Sequence, residues 1–412
     1  MTSAFRPVLR KFSKFSRDAV AASDICVVSA ARTPIGSFQG ALASLTAPQL
    51  GSAAIRGALA RLSLDASLVN EVYMGNVLSA GLGQAPSRQA VLGAGLPQSV
   101  ACTDVNKVCA SGMKAVMLAS QSIQLGVSKL AVAGGMESMS NAPYYLAKAR
   151  GGYRLGHGEL IDGLVHDGLW DPYSNSHMGS CAELCAKTMG ISREQQDDHA
   201  LQSFARARAA SEACLFEEEL VPVEVPGGRG RAPSTVEQDE ALGTMDSAKL
   251  LQLKPVFQSA ADGGTITAGN ASSISDGAAA LVLASGDAAM DLDLEVMARV
   301  RGYADAAQAP EWFTTAPSLA IPKVRGAGHA CSASLPAHAL MRTRPTLRRP
   351  WRMPGSRPGT STSTRSTRRS PSWISQTSRY WVSALTGSTL TEAPLRSATP
   401  LAAAARASSS RC

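Results

Sequence analysis

The chain has 412 residues, 45% hydrophobic and 17% charged, which is long enough for two or three domains and apolar enough for a large core. No apolar run approaches membrane-spanning length, and eight cysteines without metal-site or disulfide-framework spacing point to a reducing compartment. The net charge of +8 hides an asymmetry: residues 324–412 hold 14 arginines against the single acid Glu392, a local +13 that leaves −5 for the rest, so the basic balance gives no ground for a nucleic-acid partner.

Residues 1–23 carry Arg6, Arg10, Lys11, Lys14 and Arg17 against Asp18, with Phe5, Val8, Leu9 and Phe12 on one helical face. A basic amphipathic start poor in acids predicts a mitochondrial presequence, the alternative being a disordered arm. The fold is expected to begin near Asp24. Ile25 to Ala30 is an apolar strand, and Ala31-Arg32-Thr33-Pro34-Ile35-Gly36 turns the chain. Thr46 can cap a helix with Pro48 in its first turn and Ile55, Ala58, Leu59 and Leu62 on its inner face. A strand follows at Glu71 to Val77.

The stretch from Asp104 to Met117 centres on Cys109. It predicts a strand, a sharp turn, and a helix whose first turn carries the cysteine and which ends at Gly126. The helix dipole there should lower the thiol pKa, and Ala110, Ser111 and Gly112 leave room for a substrate. Cys109 is therefore either a nucleophile or, as many free cysteines are, a small buried apolar residue. A strand from Leu130 to Ala133 ends in Gly134-Gly135-Met136-Glu137-Ser138-Met139-Ser140, a ligand loop or a plain turn. Alternating strands and helices argue for an α/β layer with a largely parallel sheet.

Glycines and aromatics over 151–175 predict long loops, followed by His177-Met178-Gly179-Ser180. A lone histidine is more often structural than catalytic. Ser192 with Gln195 forms a capping-box pattern, opening a helix to about Ala213. Lys249 suits a phosphate-bearing ligand electrostatically but equally fits a solvated surface. Small residues recur in Gly264-Thr265-Ile266-Thr267-Ala268-Gly269-Asn270-Ala271-Ser272 and Asp276-Gly277-Ala278, before a strand at Leu281 to Ala284. Asn270 is expected to hold this turn.

Five segments, in order, resemble the thiolase family: Val-Ser-Ala-Ala-Arg-Thr-Pro-Ile-Gly, Asn-Lys-Val-Cys-Ala-Ser-Gly-Met-Lys-Ala, Gly-Gly-Met-Glu-Ser-Met-Ser, the His177-Met178 segment, and the turn ending at Ser272. The resemblance spans about residues 25–323. It implies a layered α/β/α/β/α fold, with an N-terminal domain from 24–149 and 251–289 and a loop domain over 150–250, following the presequence expected over 1–23 from its composition. The start of a second, pseudo-repeated domain follows at 290–323. It implies Cys109 as the acyl-thioester nucleophile, His177 and Met178 lining the acyl and pantetheine channel, and Lys249 and Ser272 contacting coenzyme A.

Phe204 stands where potassium-activated members carry a tyrosine, so potassium dependence is not expected. The implied reaction joins two acetyl-CoA into acetoacetyl-CoA and CoA, or reverses this, with coenzyme A as substrate and no metal or other cofactor. The segments around Leu160 and Trp170 resemble the acetoacetyl-CoA branch; a longer-chain 3-ketoacyl-CoA thiolase and a non-catalytic thiolase-like protein with a basic binding arm are the alternatives. A homodimer or homotetramer is expected, in the mitochondrion or alternatively the cytoplasm or peroxisome, with no membrane or nucleic-acid partner.

The resemblance stops after Lys323. Of the 89 residues in 324–412, 16 are Ser and 11 Thr, interleaved with Arg and Pro, a composition that predicts a disordered tail and an incomplete C-terminal half. The family's Asn-Glu-Ala-Phe, Gly-His-Pro and Cys-Ser-Gly motifs do not occur in it. Thr367 to Trp373 and Ala398 to Ala407 read as the first motif and the latter pair translated one base late. Thr399 then replaces the catalytic histidine and Ala403 the second cysteine. The tail is thus expected to be a retained intron followed by an out-of-frame exon, with a genuine basic arm as the alternative, and the chain as written is expected to be impaired.

Overall fold

The computed structural model describes residues 20–326, apart from residues 229, 231 and 245. The presequence expectation falls almost wholly on residues outside this range, as does nearly all of the tail.

A sheet of seven strands organises the described residues. Strand β1 (Ile25–Arg32) is followed by the short β2 (Gly36–Ser37), helix α1 (Ala47–Ala60), β3 (Glu71–Gly75) and α2 (Pro86–Gly93). Then come β4 (Ala101–Val105), α3 (Ser111–Gln124) and β5 (Leu130–Ser138). A loop-rich excursion carries the two-stranded pairs β6 (Tyr144–Tyr145) with β7 (Ile161–Asp162), and β8 (Trp170–Asp171) with β9 (Ser176–His177). Helices α4 (Met178–Met189) and α5 (Arg193–Glu212) follow, then the hairpin β10 (Val223–Val225) and β11 (Ser234–Val236), and short helices α6 (Ala241–Thr244) and α7 (Ser247–Gln252). The chain returns to the main sheet as β12 (Ser275–Ser285), turns through α8 (Gly286–Asp291), adds β13 (Ala298–Arg299) and ends the described residues with α9 (Ala316–Gly326).

The strand order is β13-β1-β12-β5-β3-β4, with β2 beside β12. The sheet is mixed, not largely parallel as expected. Strands β5, β3 and β4 run parallel, whereas β12 pairs antiparallel with both β1 and β5. The excursion over residues 139–274 is why: it lets the chain re-enter from the opposite end and insert β12 at the centre. Helices α1 and α2 cover one face, where Leu50, Ile55, Val72, Met74 and Val91 are fully buried. Helix α3 covers the other through Ala115, Ala119 and Ile123, against Ala131, Ala133 and Leu283. The described residues thus supply an α/β/α stack.

Local chemistry explains most boundaries. Gln49 Oε1 accepts the Thr46 N–H at 2.8 Å at the start of α1. Helix α5 opens on the expected capping box, with Gln195 Oε1 accepting the Ser192 N–H at 2.9 Å. Helix α3 ends as expected at Gly126, which sits at φ +72; Val127 N–H reaches Ser122 O and Gly126 N–H reaches Ile123 O, each at 3.0 Å, the Schellman pattern.

Three strands are longer than expected. β1 continues through Ala31 and Arg32, which were expected to turn the chain but instead pair with Ala280 and Ala279 of β12. β5 continues through Gly134-Gly135-Met136-Glu137-Ser138, so this segment is sheet, neither turn nor ligand loop. A Cβ on Gly134 would lie 2.0 Å from the Ala279 carbonyl oxygen. The glycine therefore serves the close approach of β5 and β12. β12 begins six residues before Leu281, at Ser275. β3 is shorter, stopping at Gly75 because the next residues bend onto the Glu137 carboxylate.

Candidate active site

Cys109 lies between β4 and α3. It was expected in the first turn of the helix but precedes the cap residue Ala110. The turn is a tight, self-bonded knot. Asn106 Oδ1 accepts the Val108 N–H at 3.0 Å, and Ala110 N–H reaches Lys107 O at 3.2 Å. Ser111 N–H reaches Val108 O at 3.0 Å, and Ser111 Oγ accepts the Lys107 N–H at 2.8 Å. Ser111 is buried and turned into this network, so it packs the turn instead of clearing a path for substrate. Val108 carries the strain, at φ +49, a left-handed conformation that a β-branched side chain rarely adopts. Its effect is to present the next residue outward, and Cys109 is exposed.

The floor beneath the turn is backbone. A Cβ on Gly75, at the end of β3, would meet Gly112 N at 2.5 Å, so only glycine lets the start of α3 sit this close to the sheet.

Electrostatics around the sulfur differ from expectation. The thiol pKa is raised, not lowered: desolvation dominates, and the Glu137 carboxylate adds to it. The sulfur is reachable from solvent yet crowded by protein atoms, and it lies outside the turn whose amides were expected to stabilise a thiolate. Glu137 is itself pushed up to about 7 by burial, against the hydrogen bonds it accepts from Val77, Leu78 and Asn76. On the rim, Asp305 bridges Lys107 and Lys114, the latter at 2.6 Å, and these lysines hold its carboxyl below the usual range.

The other expected site residues sit on the loop excursion. His177 caps α4, its Nδ1 accepting the Gly179 N–H at 2.9 Å. Its ring stacks on Phe257 with centroids 4.7 Å apart, and desolvation lowers its pKa. Met178 is the first residue of α4. Lys249 is exposed on α7, whose N-terminus Asp246 caps. Ser272 is exposed in the loop before β12. Among the described residues no hydrogen bond joins Cys109 to His177, Met178, Lys249 or Ser272.

That loop is held from both helices. The buried Glu183 carboxylate of α4 accepts the Ile266 N–H at 2.8 Å and the Thr265 hydroxyl at 2.7 Å. Asn270 accepts the Thr267 N–H at 2.8 Å and donates to Asp197 of α5 at 2.8 Å, the structural role expected of it.

Sequence reasoning missed Glu137, Glu183, Asp239 and Asp305. Each acts through partners far away in the chain. An acid within an otherwise small-residue segment, as at Glu137, was the one available signal. Among the described residues no cluster of His, Cys, Asp and Glu could hold a metal ion, and no helix is long and apolar enough to cross a membrane.

Residues 25–287 match the family described as Thiolase, N-terminal domain. The chain is 64% identical over 300 residues to acetyl-CoA acetyltransferase 2 of Arabidopsis thaliana, covering 73% of this chain and 74% of that protein. It is 51% identical over 302 residues to the mitochondrial acetyl-CoA acetyltransferase of Bos taurus, covering 73% and 70%. Among solved structures, a thiolase from Ascaris suum in complex with coenzyme A superposes with a TM-score of 0.68 at 42% identity, over 73% of this chain and 76% of that one.

Proposed function

The chain belongs to the thiolase family, and from that premise we propose that it is an acetyl-CoA C-acetyltransferase whose Cys109 sulfur carries the acyl group. The observation that carries this reading is the strained Val108 turn, which presents Cys109 at the surface above a glycine floor, inside a segment matched by the family.

The chemistry follows from the thiol. Cys109 loses its proton to a base, and its sulfur attacks the thioester carbonyl of acetyl-CoA. The tetrahedral oxyanion collapses, coenzyme A leaves with a proton, and acetyl-Cys109 remains. A second acetyl-CoA then gives up an α-proton. Its enolate carbon attacks the acetyl carbonyl, a C–C bond forms, and the Cys109 thiolate departs from acetoacetyl-CoA. The raised thiol pKa makes the first deprotonation dependent on a base.

We assign His177 and Met178 to the wall of the acyl and pantetheine channel, where the His177–Phe257 stack offers a rigid, mostly apolar surface. Lys249 offers an exposed cation to the nucleotide phosphates, and Ser272 a hydroxyl on the loop braced by Glu183 and Asn270. Coenzyme A is substrate, with no resident cofactor. A homodimer or homotetramer and a mitochondrial address belong to the same reading, the address supported by the basic start of the chain, while the relatives include both mitochondrial and cytosolic forms.

The Gly-His-Pro and Cys-Ser-Gly motifs do not occur in this sequence, so with the catalytic histidine absent the chain as written should acetylate Cys109 slowly, through solvent base alone, and then stall. Incubation with acetyl-CoA followed by peptide mass spectrometry tests this. Acetyl on Cys109, absent in Cys109→Ala, with no acetoacetyl-CoA formed, is the expected result. A chain repaired to the family's reading frame after Lys323 should turn over. An unlabelled Cys109 in both chains overturns the assignment.

A further inference from the structure

A path of hydrogen bonds runs from a carboxylate on β5 to the turn that presents Cys109. The two oxygens of Glu137 accept three donors: Asn76 Nδ2 at 2.8 Å, Val77 N–H at 2.8 Å and Leu78 N–H at 3.2 Å. Residues 76–78 are thereby wrapped around one side chain just after β3 ends. Asn76 N–H also reaches Val105 O at 3.0 Å, fixing this wrap to the end of β4. The wrapped segment passes the constraint on: Val77 O accepts from Asn106 Nδ2 at 3.4 Å, and Asn106 Oδ1 accepts the Val108 N–H at 3.0 Å. Val108 is the residue held at φ +49 immediately before the sulfur.

An outlying backbone conformation persists only where its surroundings over-determine it. The Asn106 side chain is the clamp on the Val108 amide, and it is oriented from its other end by Val77. Val77 is oriented by Glu137. We propose that Glu137 is a positioning residue, whose carboxylate holds the strained Val108 conformation, and so the direction of the Cys109 sulfur, through residues 76–78 and the Asn106 amide.

Glutamine cannot substitute. Its amide offers one acceptor oxygen where three N–H donors converge on two, and its NH2 would face a donor. The titratable groups that face Glu137 are the Asp276 carboxylate and the Cys109 thiol. An ionised Glu137 also disfavours the thiolate, so charge and position are separable. Removing the charge lowers the thiol pKa, while breaking the relay elsewhere does not.

The consequence for acyl transfer rests on the reading of Cys109 as acyl acceptor, but the test does not use coenzyme A. If that reading fails, it fails separately, as an unacetylated wild-type Cys109. Amide hydrogen exchange of the peptide over 105–112 is followed in the full chain at about pH 8, where the carboxylate is largely ionised. Wild type is compared with Glu137→Gln and Asn106→Ala. Alkylation of Cys109 by iodoacetamide is measured against pH in parallel, read by peptide mass.

Both variants should accelerate exchange over 105–112 by about fivefold or more, with exchange over 47–60 unchanged. Only Glu137→Gln should move the alkylation midpoint downward. Exchange over 105–112 within about twofold of wild type in Glu137→Gln overturns the proposal. So does acceleration in Glu137→Gln that Asn106→Ala does not reproduce, which confines Glu137 to residues 76–78. Equal acceleration over 47–60 overturns it too, because Glu137 is then a general stability residue.

Discussion

The imidazole of His177 lies on the ring of Phe257, centroids 4.7 Å apart and planes inclined by 24°. The pair is locked from below by Gly179, where a Cβ would come within 2.3 Å of the Phe257 ring. The same imidazole accepts the Gly179 N–H through Nδ1, so it must be neutral at that atom to cap α4. Desolvation lowers its pKa below the ordinary 6.5.

The sign follows from linkage. The unfolded chain takes up a proton near 6.5 and the folded chain resists it, so this contribution is present above that pH and is lost as the pH falls through it. Between about pH 7 and 5 Glu137, raised to about 7, contributes in the opposite direction, so the test is a difference: in urea melts the wild type should lose stability relative to His177→Ala as the pH falls. At neutral pH the same variant should cost about 1 kcal/mol as a lost helix cap.

Much of this architecture is legible from local rules. The caps at Thr46 and Ser192, the Gly126 terminus and the buried face of α1 all arise within a few residues of themselves. What the sequence concealed is long-range. The antiparallel insertion of β12 depends on where an excursion of over a hundred residues returns. The helical start at Ser111 depends on Ser111 Oγ binding Lys107 N–H, which places Cys109 outside the helix. The glycines of β5 resembled a loop because a sheet contact with Ala279 leaves no periodic signal. At the site, Cys109 was identifiable from its neighbours, while its raised pKa depends on desolvation by the packed surroundings and, to a lesser degree, on Glu137, a residue 28 positions further along the chain.

Arg32 pins the loop excursion to β1. Its guanidinium pairs with Asp239 at 2.7 Å and Glu219 at 2.6 Å, and Asp239 also accepts the Ile35 N–H at 2.9 Å. The Arg32 and Asp239 side chains are 11% and 12% exposed, so removing one strands the other away from water. Asp239→Ala should cost about 3 kcal/mol, read as a lower urea midpoint with unchanged slope. A loss well under about 1 kcal/mol would mean that Glu219 alone compensates the buried cation.

Alkylation of Cys109 should behave as that of a hindered thiol. With its pKa above the ordinary 9.0, the rate should still be climbing at pH 9.0. A plateau near neutrality would show a thiolate stabilised by the α3 terminus, the behaviour first expected from the sequence.

The Val108 turn offers a sharper separation of stability from function. Val108→Gly removes a left-handed strain of about 1–2 kcal/mol. It also adds an unfolded-state entropy cost of about 0.5–1 kcal/mol. The two nearly offset, and Val108 is half-exposed, so little packing is lost. Thermal stability should therefore change by no more than about 1 kcal/mol. The glycine, however, leaves the turn free to rotate about the position that aims the sulfur. Acetylation of Cys109 by acetyl-CoA should fall by about tenfold or more, because reaction requires the sulfur and the carbonyl to be held in near-attack geometry. Acetylation equal to wild type in Val108→Gly would show that the strain belongs to folding of the turn and not to presentation of the nucleophile.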